Sequence, residues 1–391
     1  MVSPSNDVGM DKNNYKRLGY YIEPCLEKNK GLKVTLSQGI SNEKYFQTPR
    51  QVALDSENDQ IVRKGQFAYN KATTRNGEKI SIAYRDGEDC TVSSAYQVFR
   101  ITDENLLNPY YLMMWFKRPE FDRYARFKSF GSAHEFFTWE EMCDVMLPIP
   151  DIDEQRRIVA EYQTIEKRIE NNNRLIQKLE ATAQAIYRHT FVEGIDPENL
   201  PEGWTKVSAL TAFPDITIGR TPPRENIEYF NDENIGTKWV SIADMRNANP
   251  FVLQTKECLT DDAICTCHVP VVPKYTILLS FKLTVGRVAI TTEDICTNEA
   301  IAHFRCKSIE DLIYPYFYLK SFDYKTLGNT SSISDAINSK IIKQMPYIVP
   351  DRVLVEYFNQ RVLPIIKMEL SINKETQILS NLLKLICSKL S

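Results

Sequence analysis

Four residues in the second half of the chain have side chains that could bind a zinc ion. They are Cys258, Cys265, Cys267 and His268. Thiolate and imidazole groups are the usual protein ligands of zinc, and structural zinc sites place them at characteristic spacings. The spacing here matches no standard zinc finger, and the first half of the chain has no equivalent group. The sequence therefore favours reduced structural cysteines, and we predict no metal site.

A second group of residues suggests adenine chemistry. Asn108-Pro109-Tyr110-Tyr111 is similar to the Asn-Pro-Pro-Tyr loop with which amino-methyltransferases hold a target adenine. It lacks the second proline, and no glycine-rich loop follows a strand to hold a methyl donor. The sequence also has no phosphate-binding Gly-x-x-x-x-Gly-Lys loop and no spacing that pairs a histidine with a nucleophile. We therefore predict no catalytic residue. A stand-alone N6-adenine DNA methyltransferase is the enzymatic alternative, which binding of a methyl donor by the purified chain would support.

Two stretches in the first half are rich in basic residues. Residues 63–85 contain six Lys or Arg and one acid, and residues 117–128 contain five against two acids, with aromatic residues between them. The net charge of −3 argues against general affinity for nucleic acid, but phosphate contact needs only a local basic surface. A DNA-free coiled-coil scaffold is the alternative outside DNA binding. The basic stretch at 63–85 argues against it, and a salt-dependent gel shift would decide.

The second half of the chain repeats the plan of the first at an offset near 200 residues. Apolar residues at alternating spacings of three and four form one stripe over 158–186 and another over 358–386. This is the spacing of a coiled-coil seam. Pro-Asp steps at 150–151 and 350–351 stand in register before the two stripes. The sequence therefore predicts two long helices, each of which follows a globular domain.

We predict an α+β protein with two tandem α/β domains, each followed by a long helix. The two helices are expected to pair as an antiparallel coiled coil with pseudo-two-fold symmetry, and neither half is expected to have elements that the other lacks. Pro364 should kink or delay the last helix. The predicted segments are a first domain at 15–150, a central helix at 151–192, a linker at 193–203, a second domain at 204–350 and a C-terminal helix at 351–391.

The composition also bears on the compartment in which the chain acts. No run of 18 apolar residues occurs, and residues 1–14 are polar, so neither a membrane span nor a secretory signal is expected. Nine cysteines without the spacing of a disulfide framework are typical of a reducing cytoplasm. We therefore predict a cytoplasmic protein.

Short motifs in both halves occur in the order seen in a known family. In the second half they are Leu200-Pro201-Glu202-Gly203-Trp204, Ile218-Gly219-Arg220-Thr221-Pro222, 239–245, 279–290 and Thr297-Asn298-Glu299-Ala300. In the first half they are 65–71, Gly131-Ser132 and 153–159. This order, around two long helices, resembles the specificity (S) subunit of type I restriction–modification enzymes, with its target-recognition domains. The resemblance covers nearly the whole chain, from about Tyr15 to Leu390. The last helix departs from the first at Val355, which stands in the place of Gln155, and at Pro364.

The resemblance implies a function in DNA recognition without catalysis. Each domain would bind one half of a bipartite target in double-stranded DNA, and the helices would set the distance between the halves. The expected protein partners are two modification (methyltransferase) subunits and, for cleavage, restriction subunits. S-adenosylmethionine, ATP and magnesium would be bound by those partners, so no cofactor is expected on this chain.

The candidate DNA-contacting residues are polar and basic side chains on predicted loops of each domain. In the first domain they are Lys71, Thr73, Thr74, Arg75, Asn76, Lys79, Gly131, Ser132 and His134. In the second they are Arg220, Thr221, Arg224, Lys238, Ser241, Lys282, Arg287, Ser331, Ser332 and Asn338. Lys and Arg would neutralise phosphates, whereas Asn, Arg, Ser and Thr would read base edges. For Lys71, Arg75 and Lys79, on a loop with the turn signal Asn76-Gly77, we predict phosphate contact.

Overall fold

The computed structural model describes residues 15–49, 57–72, 79–129, 136–232, 235–246, 248, 250–327 and 337–390. Contacts within the chain divide it into two compact units. The first comprises Met1–Arg168 and Leu379–Ser391, and the second comprises Ile169–Ile378. The division passes through both long helices, so each unit contains a globular part together with a portion of each helix.

The first unit contains short strands and helices in an α+β arrangement. Its strands are β1 (Tyr15–Arg17), β2 (Ile22–Cys25), β3 (Gly39–Ile40), β4 (Phe46–Gln47), β5 (Gln60–Val62), β6 (Gln66–Asn70), β7 (Ile82–Tyr84), β8 (Cys90–Val92), β9 (Tyr96–Ile101) and β10 (Met146–Pro148). Its helices are α1 (Pro109–Phe116), α2 (Pro119–Ser129), α3 (Trp139–Cys143) and the start of α4 (Ile152–Phe191).

The second unit has a similar succession of elements. Its strands are β11 (Thr205–Ser208), β12 (Thr217–Ile218), β13 (Phe230–Asn231), β14 (Thr237–Val240), β15 (Phe251–Val252), β16 (Glu257–Leu259), β17 (Thr276–Ser280), β18 (Val288–Thr291), β19 (Cys296–Thr297), β20 (Ile301–Arg305) and β21 (Pro346–Val349). Its helices are α5 (Ala209–Ala212), α6 (Ile242–Met245), α7 (Asp261–Cys267), α8 (Ile313–Ser321), α9 (Ser339–Gln344) and α10 (Arg352–Ser388), whose end belongs to the first unit.

The two units share one sheet plan. The main sheet has the order β2-β9-β6-β7 in the first unit and β12-β20-β17-β18-β15 in the second, so β6 and β7 correspond to β17 and β18. In each unit the first strand pairs antiparallel with the strand before the long helix, as β1 with β10 and β11 with β21. A buried tyrosine hydroxyl also donates to that strand in each unit, from Tyr111 to Pro148 O (3.1 Å) and from Tyr314 to Ile348 O (2.8 Å). The predicted duplication is confirmed.

The second unit nevertheless has elements for which the described residues of the first unit show no counterpart. Strands β13, β16, β14 and β19 form a separate sheet in that order, and α6 and α7 lie along the same stretch of chain. Of these, β19 has the place in the order of elements that β8 has in the first unit. Trp239, Leu259 and Cys296 form part of a small core of their own there. Among the described residues, the first unit has only β3 and β4 between β2 and β5. Over the described residues, the expectation that neither half has elements that the other lacks was therefore wrong.

The two long helices lie antiparallel, as the sequence predicts. Within the second unit, Asn172 Nδ2 on α4 donates to Thr376 Oγ1 on α10 at 3.2 Å. Nearer the end of α4, fifteen or more residues after Asn172, the rings of Tyr187 and Phe191 pack on Phe358 near the start of α10. Their centroid distances are 6.0 and 5.1 Å. Residue numbers thus rise along one helix as they fall along the other. No helix within the described residues has both the length and the apolar composition needed to cross a membrane.

Pro364 does not delay the last helix. α10 begins at Arg352, directly after the Pro350-Asp351 step, and continues through Pro364, whose side chain is exposed. The helix therefore starts at the position equivalent to the start of α4 at Ile152. A proline on the exposed side of a helix leaves the buried stripe on the other side intact. Of the two expected effects, a kink or a delay, the delay was wrong and the kink stays a prediction.

Gln155 anchors α4 to the first domain. The side chain is fully buried, and its Oε1 accepts a hydrogen bond from the backbone N–H of Asn108 at 2.8 Å. Its Nε2 donates to Leu106 O (2.9 Å) and to Pro150 O (2.8 Å). Val355, at the equivalent place in α10, packs instead against the apolar core of the second unit. The exchange of Gln for Val therefore changes how each long helix is attached to its own domain.

Candidate nucleic-acid interface

Some of the candidate residues of each domain fall on one topologically equivalent hairpin. Residues 71–81 connect β6 with β7, and residues 281–287 connect β17 with β18. Because these strand pairs occupy the same places in the two sheets, two stretches that share little sequence are the same loop of the fold. Thr73, Thr74, Arg75, Asn76, Gly131, Ser132, His134, Ser331 and Ser332 lie outside the described residues.

The described ends of the two candidate loops of the first domain meet. Ala72 and Phe136 form an isolated antiparallel bridge, and the N–H of Phe137 donates to Lys71 O at 2.8 Å. The buried ring of Phe137 packs edge-on against Tyr69 at 6.0 Å, which fixes this junction. The structure thus joins the stretch that begins at Lys71 to the stretch that ends at Phe136.

Lys71 and Lys79 differ in their surroundings. Lys79 is exposed and its ammonium group lies 2.7 Å from the carboxylate of Glu43, which is also exposed. Exposed ion pairs stabilise proteins only weakly, so Lys79 can exchange Glu43 for a phosphate at little cost. Lys71 is half-buried and forms no ion pair with the residues that the structure describes. Both remain predicted phosphate contacts.

In the second domain, two of the family-like motifs form one joint around Gly219. The Gly219 N–H donates to Ile301 O at 3.1 Å. A side chain at Gly219 would overlap the hydroxyl of Thr297 and the carbonyl oxygen of Asn298. Only glycine allows the backbone to approach so closely. The glycine of the Ile-Gly-Arg-Thr-Pro motif is therefore required by the Thr-Asn-Glu-Ala motif beneath it.

His303 lies under this joint as a neutral imidazole. Its Nδ1 is 2.8 Å from the hydroxyl of Thr217, and its Nε2 is 2.7 Å from the hydroxyl of Thr297. Burial disfavours the charged form and lowers the pKa of His303 to about 3. The residue therefore supports the strands β12 and β20 and has no exposed surface with which to contact DNA.

Arg220 and Thr221 are positioned by neighbouring segments of the same domain. Arg220 Nη1 donates to Cys267 O at 2.8 Å, and Trp239 Nε1 donates to Arg220 O at 3.3 Å. Thr221 donates its hydroxyl hydrogen to the carboxylate of Glu299, and this hydrogen bond lowers the pKa of Glu299. The segment at 220–221 is thus attached to three other parts of the domain.

Arg224 is held flat by a carboxylate and two rings. Its guanidinium donates two hydrogen bonds to Glu257, at 2.8 and 3.0 Å. It stacks 4.1 Å from the ring centre of Phe230 and 4.7 Å from that of Trp239. Bidentate pairing and cation–π contact both fix the orientation of the group, and the pairing lowers the pKa of Glu257. Sequence reasoning selected Arg224 but missed all three of its partners, which lie apart from it along the chain.

Two further candidates cap helices. Ser241 accepts a hydrogen bond from the backbone N–H of Asp244 and completes a capping box at the start of α6. Asn338 accepts from the N–H groups of Lys340 and Ile341, at 3.0 and 3.1 Å, at the start of α9. Ser-x-x-Asp is itself a sequence signature of a helix start, so the role of Ser241 could have been recognised from the sequence.

Lys238 and Arg287 make internal contacts as well. Lys238 donates to Leu253 O at 2.7 Å and pairs with Glu293. Arg287 Nη1 donates to Ile242 O at 2.7 Å. Lys282, by contrast, is exposed on the β17–β18 hairpin. Of these three cations, Lys282 is the one most available for a phosphate, because its side chain projects into solvent.

The sequence Asn108-Pro109-Tyr110-Tyr111 starts a helix. The side-chain oxygen of Asn108 accepts hydrogen bonds from the N–H groups of Tyr110 (2.9 Å) and Tyr111 (3.2 Å) at the first turn of α1. This is the ordinary action of an N-cap asparagine followed by proline. The amide oxygen that would bind an adenine in a methyltransferase is occupied here.

The cysteines of the second domain are dispersed. Cys258 is buried in a strand, whereas Cys265 is exposed on α7. Across the described ranges, no three His, Cys, Asp or Glu side chains come close enough together to bind a metal ion.

Comparison with known proteins identifies the family. The family model described as "Type I restriction modification DNA specificity domain" matches residues 11–181 and 201–353, which together make up most of the chain. The chain belongs to this family. The resemblance derived from the motifs is thereby confirmed, and the chain is a non-catalytic subunit that recognises a DNA sequence. DNA and the modification and restriction subunits of such a system are its partners.

Individual relatives agree with this assignment. The HindI specificity subunit of Haemophilus influenzae is 21% identical over 410 aligned positions, which cover 86% of this chain and 88% of that protein. The MjaIX specificity subunit of Methanocaldococcus jannaschii is 23% identical over 162 positions, 40% of this chain and 37% of that protein. The crystal structure of a type I restriction–modification S subunit from M. genitalium, at 13% identity, matches with a TM-score of 0.55 over 100% of this chain and 98% of that one. It has the same fold.

Proposed function

We propose that the chain recognises a bipartite DNA target and that each domain reads one half of it. The observation that supports this proposal is the repeated hairpin: β6–β7 and β17–β18 are equivalent, and both connecting loops contain basic residues that the sequence predicts as phosphate contacts. A two-stranded ribbon of this kind can read DNA from one of its grooves. Two copies in one chain would therefore read two separate short sequences.

Within each domain, phosphate contacts would position the hairpin and a smaller number of side chains would read bases. Lys71, Arg75 and Lys79 would bind phosphates in one half of the target, and Lys282 in the other. Arg220 and Thr221 are the candidates for base contact that lie on an anchored segment next to Trp239. An anchored side chain loses less conformational entropy when it binds than a free one does.

We further propose that one copy of the chain assembles with two modification subunits and, for cleavage, with restriction subunits, in the cytoplasm. The length of the paired helices would set the spacer between the half-sites. S-adenosylmethionine, ATP and magnesium would be bound by the partner subunits. Native mass spectrometry of the co-expressed subunits measures the stoichiometry directly, and a complex with one modification subunit would contradict this part of the proposal.

A domain exchange tests the central proposal. Residues 204–349 would be replaced by the equivalent domain of a relative, and adenine methylation would be mapped across the genome by single-molecule sequencing. We expect one half of the methylated sequence to change and the other half to stay the same. The unmodified chain and the reciprocal exchange of residues 15–150 are the controls. If both halves of the methylated sequence change after a single exchange, the proposal that each domain reads one half is contradicted.

A further inference from the structure

The tip of the β17–β18 hairpin exposes an apolar side chain to solvent. Leu283 is 98% exposed, more than any other large hydrophobic residue in the described part of the chain. Its φ is +60°, a left-handed conformation that is unfavourable for a branched apolar residue. Exposure and backbone strain both cost free energy. Such strain is most often retained at functional positions.

The backbone of the tip is fixed by one buried serine. Ser280 Oγ donates to Thr284 O at 2.6 Å and accepts from the N–H of Arg287 at 3.0 Å. The Ser280 carbonyl accepts from the N–H of Gly286 at 2.9 Å. These bonds close the loop below Leu283, so the leucine projects from a rigid support.

The chemistry of the tip suits a polyanion with an apolar interior. Residues 281–287 contain Lys282 and Arg287 and no acidic residue, and the side chain of Lys282 is exposed beside Leu283. Double-stranded DNA combines phosphates outside with stacked bases inside. Proteins that bind the minor groove of DNA and bend it often insert apolar side chains between base steps.

We propose that Leu283 is a wedge that enters the base stack in the half-site recognised by the second domain. This inference rests on the proposed function. A side chain that inserts between two bases is covered by one base on each side, so the protein itself must leave both sides uncovered. The 98% exposure of Leu283 meets this requirement. A leucine that touched only a thymine methyl group on the groove floor would need only one free face.

The equivalent tip of the first domain differs in sequence. Residues 73–78 read Thr-Thr-Arg-Asn-Gly-Glu and include no large apolar residue. The proposal therefore places the unstacked base step in one half-site alone. This asymmetry gives the experiment an internal control within a single DNA duplex.

The test uses the full chain in complex with the modification subunits of its own system. Duplexes carry 2-aminopurine, whose fluorescence rises when it is unstacked, at successive positions through both half-sites. The modification subunits are expected to extrude the target adenine in each half-site, so positions next to these adenines are left out of the comparison. At the remaining positions we expect a rise at one step in the half-site of the second domain and none in the other. Leu283→Ala should abolish the rise and weaken binding about tenfold, as expected for the loss of one buried leucine. Leu283→Met should retain both.

Two matched variants separate the contributions to binding. Ile227→Ala removes another exposed apolar side chain of the same domain, 79% exposed, and should change neither affinity nor fluorescence. Lys282→Ala should reduce the slope of affinity against salt by about one unit, whereas Leu283→Ala should leave that slope unchanged. Because Leu283 is exposed, its variants should melt at the temperature of the parent.

Three results would contradict the proposal that Leu283 enters the base stack. The first is that the parent complex gives no rise in fluorescence on DNA, and the second is that the rise persists in Leu283→Ala. The third is that Leu283→Ala loses affinity without a change in fluorescence. The last would mean that the leucine contacts base edges. If the parent complex fails to bind its methylated sequence at all, the proposed function fails instead, and the two failures are therefore distinguishable.

Discussion

The two domains attach their long helices by different chemistry. In the first, the amide of Gln155 makes three hydrogen bonds to backbone groups around the start of α4. In the second, Phe358 near the start of α10 lies in an aromatic cluster with Tyr187, Phe191 and Phe317. Both arrangements position a helix directly after the same Pro-Asp step. The comparison shows that the duplication preserves the position of the helix while the interactions that stabilise it have changed.

The largest effect is expected in the aromatic attachment. Phe358→Ala removes a fully buried ring and should lower the free energy of unfolding by about 3–5 kcal/mol. Val353→Ala, on the exposed side of the same helix, is the matched control and should have little effect. Urea unfolding of the full chain measures both. Equal effects of the two variants would mean that the cluster does not anchor α10.

The polar attachment should be weaker. Gln155→Val gives the first domain the residue type of the second, and it leaves the backbone groups of Asn108, Leu106 and Pro150 without their partner. We expect a loss of about 1–3 kcal/mol, because buried polar groups without a hydrogen bond are costly. Gln360→Val on exposed α10 surface is the control. If Gln155→Val has the same free energy of unfolding as the parent, packing alone attaches α4 to the first domain.

A pH effect should distinguish the second unit from the first. Glu369 is fully buried on α10 and interacts with Glu180 of α4 and with Tyr316 and Lys320 of α8. Burial, and then the charge of Glu180, raise the pKa of Glu369 from about 4.5 to about 8. The folded state therefore binds this proton more tightly than the unfolded state does. The resulting stability is complete below about pH 4.5 and is lost as the pH rises to about 8.

The free energy of unfolding of the parent should therefore fall as the pH rises through this window. In Glu369→Gln the fall should be smaller, because glutamine imitates the protonated carboxyl group. Urea unfolding at several pH values from about pH 5 to about pH 8 measures it. Glu170→Gln on the exposed face of α4 should leave the pH dependence as it is. If the free energy of unfolding depends on pH equally in Glu369→Gln and in the parent, Glu369 is not the group that causes this dependence.

The smallest effect concerns DNA binding by the first hairpin. Neutralising Lys71, Arg75 or Lys79 should weaken binding to cognate and scrambled duplexes alike and lower the salt slope by about one unit each. A base-reading residue would instead lose about 1–3 kcal/mol against the cognate duplex only. Affinities measured with both duplexes at several salt concentrations separate the two cases. If the triple alanine variant binds both duplexes as tightly as the parent, this hairpin does not face DNA.

The sequence alone determined the features that depend on short-range pattern. The spacing of apolar residues predicted both long helices, and the register of two Pro-Asp steps predicted where they begin. The order of short motifs along the chain was sufficient to indicate the family. These predictions succeed because helix periodicity, proline and capping residues act within a few positions along the chain.

Only the tertiary structure decided which distant segments share a function. It made the loop after Lys71 equivalent to the loop at Lys282, and it paired Arg224 with Glu257, 33 residues away. It also left Leu283 in solvent and buried His303, although no local pattern distinguishes them. The physical reason is that burial and pairing depend on how strands from separate parts of the chain are ordered in a sheet, and that order is a property of the whole fold.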